Sequence, residues 1–329
     1  MYVLQGQHMN QIAQLPSRSP KRQRGLTLLE LMVSITIGLV ILLALGTLYL
    51  GTTSTNRQMT SVSRMSEDAA IAFNLVGGNL RMSGFSTPRY KVLPGQALVD
   101  GVAKTAPNRN FTGAAIRGCD HGFIDPKANF ADLDCQATGT QPAAIALRFE
   151  GDFFNTVKIA KPAGGTDFYP SDCLNSAVTA LEKSASASGE DYTLIDSRFT
   201  IQPRGGDSVL ELKCSGNGNA FLPQPMIEFI ENVQLTYGIT SDAENHQVLY
   251  YGTAATVDAL PGGVDDRWSR VVSIRVCMVL RSQARDQAGA GNYIDCDGNS
   301  VASTDGLMRR SFTSVYALRN RSTIQMPAT

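Results

Sequence analysis

Residues 26–50 read LTLLELMVSITIGLVILLALGTLYL, 25 residues with a single charge, Glu30. A helix needs roughly 20 apolar residues to cross a hydrocarbon core of about 30 Å. The run is long enough for one span, and no second run of its kind follows. Four basic residues and no acid precede it: Arg18, Lys21, Arg22 and Arg24. Basic flanks are retained in the cytoplasm, which places the larger C-terminal part outside it. A secretory signal has an apolar core of about 7–15 residues and a small-residue cleavage site, so this run is too long for one. A plain anchor accounts for the length but not for Glu30. A carboxylate at the bilayer centre costs about 2.5–3.5 kcal/mol on insertion scales, less near the edge, so Glu30 needs a partner. If the chain is cut after Gly25, the new amino group of Leu26 lies one helical turn away. It can then pair with Glu30 of the same or a neighbouring chain.

The residues around that cut resemble a known family. Lys21-Arg22-Gln23-Arg24-Gly25, followed by Leu26-Thr27-Leu28-Leu29-Glu30-Leu31, resembles the class III prepilin signal of type IV pilins and type II secretion pseudopilins. The resemblance implies that a membrane aspartyl peptidase cuts between Gly25 and Leu26 and methylates the Leu26 amine. It implies that Lys21, Arg22 and Arg24 leave with the leader. Glu30, fifth in the mature chain, then serves assembly. Two features depart from the family pattern: Leu26 stands where Phe is frequent, and the leader is long, which a start at Met9 would shorten.

Beyond Gly51 the pattern turns amphipathic. Met59, Val62, Met65, Ala69, Ala72, Phe73, Val76 and Leu80 recur at three- and four-residue steps, as one helix face requires. Gly77-Gly78 is the weak point. A helix from Leu26 to Met82 is about 85 Å long at 1.5 Å per residue. From residue 84 helical periodicity is absent, and alternating runs read as strands: Ala144–Phe149, Val209–Lys213, Val233–Ile239, Val272–Leu280 and Phe312–Leu318. Long loops are expected near 95–115, 160–190 and 284–305, exposed or facing partners.

Several of these runs resemble PilW-type minor pilins. They are Leu80–Phe85 at the helix end, Glu231–Gly238, Trp268–Ser282 and Tyr316–Arg321. The expected fold is therefore α+β: a long N-terminal pilin helix packed on a C-terminal antiparallel sheet domain with long loops and disulfides. Its expected divisions are a removed leader (1–25), an apolar membrane or pilus-core helix (26–51), an amphipathic continuation (52–83) and an exported β-rich domain (84–329).

All six cysteines follow the span. An even count in an oxidising compartment favours disulfides, with 15 connectivities open. Sequential pairing, Cys119–Cys135, Cys173–Cys214 and Cys277–Cys296, is the expected one, each bond closing a loop-rich segment. Asp295-Cys296-Asp297-Gly298-Asn299 misses the sixth-position Gly and twelfth-position Glu of a calcium loop. No catalytic motif is present, and neither a metal nor a cofactor is expected. Cys119-Asp120-His121 reads as a disulfide cysteine beside unrelated polar residues.

The 29 basic and 29 acidic residues cancel, which gives no electrostatic footprint for nucleic acid. Without residues 1–25 the remainder has 25 basic and 29 acidic residues, formally −4. The resemblance implies a non-enzymatic minor pilin that primes pilus assembly in a tip complex, with indirect effects on twitching motility and adhesion. Expected partners are other minor pilins, the major pilin, the prepilin peptidase, the inner-membrane assembly platform and, before assembly, membrane lipid, with a tip adhesin as a further candidate. Expected location is the inner membrane with the domain in the periplasm, then the pilus at the cell surface. The alternatives are a J-type secretion pseudopilin and a single-span anchored binding module.

Overall fold

The computed structural model describes residue 25, residues 27–87, 109–111, 113–139, 141–161, 167–184, 190–205, 208–242, 245–285 and 291–320. Lys21, Arg22, Arg24, Leu26, Arg321 and most of the 95–115 loop lie outside them. Helix α1 runs unbroken over Leu28–Met82. The chain divides into two compact units, Met1–Thr55 and Asn56–Thr329.

In the first unit α1 carries its apolar side chains outward: Leu28, Leu29, Val40, Leu43 and Leu48 are all exposed. Its hydroxyl side chains are folded back on the helix. Ser34 Oγ donates to the Glu30 carbonyl at 2.7 Å, and Thr36 and Thr47 donate to the Val33 and Ala44 carbonyls. Such back-bonding satisfies the hydroxyls without water.

In the second unit the last turns of α1 enter a packed core through Met65, Ala69, Ala72, Val76, Gly77 and Leu80. That is the expected face, except that Met59 is exposed and Val62 and Phe73 are half-covered. Two antiparallel sheets share this core. The first has the order β1-β2-β5-β6-β7, with β1 Ile116–Cys119, β2 Ala144–Gly151, β5 Thr193–Pro203, β6 Leu210–Gly216 and β7 Gln224–Glu228. The second has the order β13-β10-β8-β9, with β8 Ile230–Ile239, β9 Tyr250–Gly252, β10 Val271–Arg285 and β13 Leu307–Ala317. Alternate residues Val233, Leu235, Tyr237 and Ile239 of β8 face Val276, Met278 and their neighbours of β10 inside the core. Each fully buried large apolar side chain contributes about 1.5–3 kcal/mol.

One residue carries the chain from sheet to sheet. Phe229, between β7 and β8, has φ +63. This left-handed conformation is uncommon outside glycine, and it turns β8 into the second sheet. The Phe229 carbonyl accepts from the Arg281 N–H at 3.0 Å, and the Arg281 guanidinium lies 5.2 Å from its ring.

Several regions differ from the sequence expectation. Strands β1, β5, β7 and β9 lie where no strand was expected, and β5 is central in the first sheet. Two short helices, α2 Ala254–Asp258 and α3 Val264–Ser269, occupy a stretch read as non-helical; five and six residues are too few to show a 3.6-residue period. The 160–190 and 284–305 loops hold small hairpins, β3 Ile159–Ala160 with β4 Phe168–Tyr169, and β11 Asn292–Ile294 with β12 Ser300–Ala302.

Candidate functional site

The N-terminal site begins at Thr27. Its hydroxyl oxygen accepts from the Glu30 N–H at 3.3 Å, and its carbonyl accepts from the Leu31 N–H at 3.2 Å. Thr27 therefore caps α1. Thr27-Leu28-Leu29-Glu30 has the S/T-x-x-E spelling of a capping box, a signal that reading Thr27 only as part of the cleavage motif overlooked. Glu30 lies in the first turn, where a helix dipole favours an anion. Its carboxylate has no hydrogen-bond or ion-pair partner among the described residues.

In the second unit the PilW-like segments come together. At the end of α1, Gly84 adopts φ +76 and donates its N–H to the Arg148 carbonyl at 2.9 Å. A side chain there would strike the Asn320 carbonyl. Asn320 in turn donates through Nδ2 to the Arg81 carbonyl at 2.8 Å. Tyr316 of β13 donates its hydroxyl to the Phe73 carbonyl at 2.9 Å, and its ring occupies the space a Gly77 side chain would need. The two glycines thus let strand and chain end close directly on the helix. Trp268 meets Tyr237 edge to face at 5.2 Å and donates through Nε1 to Asp258 at 2.8 Å. Burial pushes the Tyr237 phenol well above its ordinary pKa, and its hydroxyl has no hydrogen-bond partner among the described residues. Glu231 accepts two hydrogen bonds from Arg309, at 2.6 and 2.9 Å. The hydrogen bond from Arg309 holds the Asp305 carboxyl well below the usual range, and the Asp305 carboxylate raises Arg309 in return.

The disulfides join Cys119 to Cys135, Cys173 to Cys214 and Cys277 to Cys296, with Cα separations of 5.2, 6.5 and 5.8 Å. The first closes a loop that three arginines fasten to the outer face of the first sheet. Arg198, 1% exposed, pairs with Asp196 at 2.8 Å and donates to the Pro126 and Ala128 carbonyls. Arg117 donates to the Ala131 and Leu133 carbonyls. Arg148 lies 3.8 Å from the Phe130 ring centre, and burial lowers its pKa. Asp120 accepts from the Ala254 and Ala255 N–H groups and so caps α2. Asp295 accepts from the Asp297 and Asn299 N–H groups in its own turn. Among the described residues no group of three metal-binding side chains occurs.

Sequence reasoning missed Glu150. Its buried carboxylate accepts from Ser86 Oγ, the Thr87 N–H, Thr87 Oγ1 and Asn110 Nδ2, all at 2.8 Å. It gathers chain from both ends of 88–108. No local motif signals this, because the donors lie 40 or more positions away. A cleft of about 340 Å³ beside the Cys119–Cys135 loop is lined by Gln136, Gln141, Thr200 and Gln202 among apolar neighbours. None of the described residues that line it is titratable.

Two family models match parts of the chain. Residues 198–320 match the family model of Type IV Pilus-assembly protein W, from Arg198 in β5 through β13. Residues 20–46 match the prokaryotic N-terminal methylation motif. No curated protein matches the chain. Among solved structures, a type IV-like pilin from Thermus thermophilus aligns with a TM-score of 0.39 and 10% identity, covering 79% of this chain and 98% of its own. That likeness is too loose to transfer any residue's role.

Proposed function

We propose, from the premise that this chain is a type IV pilus minor pilin of the PilW family, that it is a processed subunit which primes pilus assembly. The pilin family is one of structural proteins rather than known enzymes. A prepilin-type signal and one apolar helix fit anchoring in the inner membrane followed by entry into a pilus.

In this reading prepilin peptidase removes residues 1–25 by cutting after Gly25, which follows the leader's basic cluster of Lys21, Arg22 and Arg24. The Leu26 amine is then methylated. Residues 26–51 leave the bilayer and pack among the helices of other pilins, residues 52–83 continue as the amphipathic half, and residues 84–329 form the exported domain. Burial among apolar helices replaces lipid contact. Glu30 pairs with the charged N-terminus of a neighbouring subunit, which offsets its desolvation. Thr27 sets the start of the helix so that Glu30 sits one turn in. The chain acts at low copy with other minor pilins on the assembly platform, near the pilus tip. Motility and adhesion follow indirectly.

The observation that carries this reading is the methylation-motif match over residues 20–46, which spans both the cut and an unpartnered Glu30. Intact-mass and N-terminal analysis, with and without the prepilin peptidase, tests it. The expected product begins at Leu26 and bears one methyl group. A mature chain that begins at Met1 or Met9 in cells with the peptidase removes the pilin mechanism. Normal surface pilus number in a deletion strain removes the priming role alone, and lost protein secretion with intact pili reassigns the chain to the secretion pseudopilins.

A further inference from the structure

The second unit carries an aromatic turn that its own core does not use. Phe154 is 95% exposed, and Phe153 and Val157 beside it are also exposed. Residues 153–157 are uncharged. Phe153 meets Phe168 of β4 edge to face, with ring centres 6.4 Å apart.

The turn is rigidly built. The Asp152 carboxylate accepts from the Phe154 and Asn155 N–H groups at 2.7 and 2.9 Å. Asn155 Oδ1 accepts from the Asp152 N–H at 2.8 Å, and Asn155 Nδ2 donates to the Glu150 carbonyl at 2.9 Å. Thr156 Oγ1 donates to the Asp152 carbonyl and accepts from the Ser171 N–H. An aromatic held out by a pre-ordered turn loses little freedom on binding, and buried aromatic anchors dominate interface energies.

We propose that the Phe153-Phe154 turn docks into an apolar pocket with an acidic rim on a partner pilin-type subunit. Charge selects this occupant. Lys158 stands 5.9 Å from the Phe168 ring centre and has no carboxylate partner among the described residues, so a carboxylate on the partner's rim completes it. Lys161 is already paired with Asp167. With Lys161 paired, Lys158 is the single lysine left over, far short of the basic cluster that draws a loop to an anionic bilayer. The proposal rests on the reading of the chain as a pilin-type subunit, which supplies the partner.

The test places a photo-crosslinking benzoylphenylalanine at 154 in the full-length chain, in its own cells. The second probe position is 157, used if the first variant does not accumulate with all three disulfides formed. Expected is a crosslink to one pilin-type subunit that maps to a defined apolar peptide. Asn155→Ala, which loosens the turn but keeps both phenylalanines, lowers the yield about tenfold. Lys158→Glu also lowers it, and a Glu→Lys change on the partner beside the crosslinked peptide restores it. Crosslinks to lipid alone, no protein crosslink from either position, or a yield indifferent to Asn155→Ala and Lys158→Glu overturns the proposal. Incorporation into pili is scored in parallel. A chain that is processed and incorporated but does not crosslink defeats the docking surface only, whereas a chain never processed or incorporated defeats the pilin reading itself.

Discussion

The two units place their polar and apolar groups in opposite ways. From Leu28 to Leu50 the helix shows its apolar side chains outward and carries a carboxylate with no partner. The Asn56–Thr329 unit buries charges, among them Glu150, Arg198 and Glu211, and surrounds Glu150 and Arg198 with hydrogen bonds. In the first unit apolar side chains are exposed and the Glu30 carboxylate has no partner among the described residues. The second satisfies most of its own demands, since a buried charge is tolerated only when paired.

Three substitutions sharpen that contrast. The largest effect is expected from Glu30→Ala. Cleavage after Gly25 proceeds, while incorporation into sheared pili drops about tenfold or more, consistent with losing a desolvated charge pair. Wild-type incorporation, measured by immunoblot of the pilus fraction, would mean that the lone carboxylate is incidental. Next is Glu150→Ala, which leaves four converging donors without their acceptor. We expect a loss of about 3 kcal/mol, read as a lower denaturation midpoint of the full chain in detergent, with Glu150→Gln less severe. An unchanged midpoint would show that the interior does not depend on this carboxylate. The smallest effect, opposite in sign, is expected from Tyr237→Phe. The Tyr237 hydroxyl is buried without a hydrogen-bond partner among the described residues, and removing an unsatisfied group is neutral or stabilising by up to about 1 kcal/mol. A clear destabilisation would reveal a partner for that hydroxyl.

The same contrast explains what was legible in the sequence. β8 was readable because one face is chiefly apolar and buried, which leaves a period of two, and β10 because Val272, Ile274, Val276, Met278 and Leu280 alternate although both of its faces are largely buried. β5 was not, because Ser197 breaks the apolar face of Ile195, Phe199 and Ile201 and the alternate face carries buried Asp196 and Arg198. Arg198 is neutralised by Asp196 and by the Pro126 and Ala128 carbonyls, partners about 70 positions away that no local pattern announces. At the N-terminus the prepilin-like signal was readable because its pattern is contiguous, and residues 20–46 match the N-terminal methylation motif. The cap at Thr27 was spelled there too. Glu150 and the aromatic turn were invisible for another reason: what distinguishes them is which distant groups meet a carboxylate, or that nothing covers a ring.

The closure of β13 on α1 has a consequence for the order in which the protein is made. Tyr316 bonds the Phe73 carbonyl and fills the space over Gly77, and Asn320 bonds the Arg81 carbonyl. A ribosome delivers α1 first and these residues more than two hundred positions later. Until they arrive, the groove over Gly77 stays open. Closure of the domain thus waits for synthesis to pass Asn320, and a product stopped before Leu307 lacks the strand that closes it.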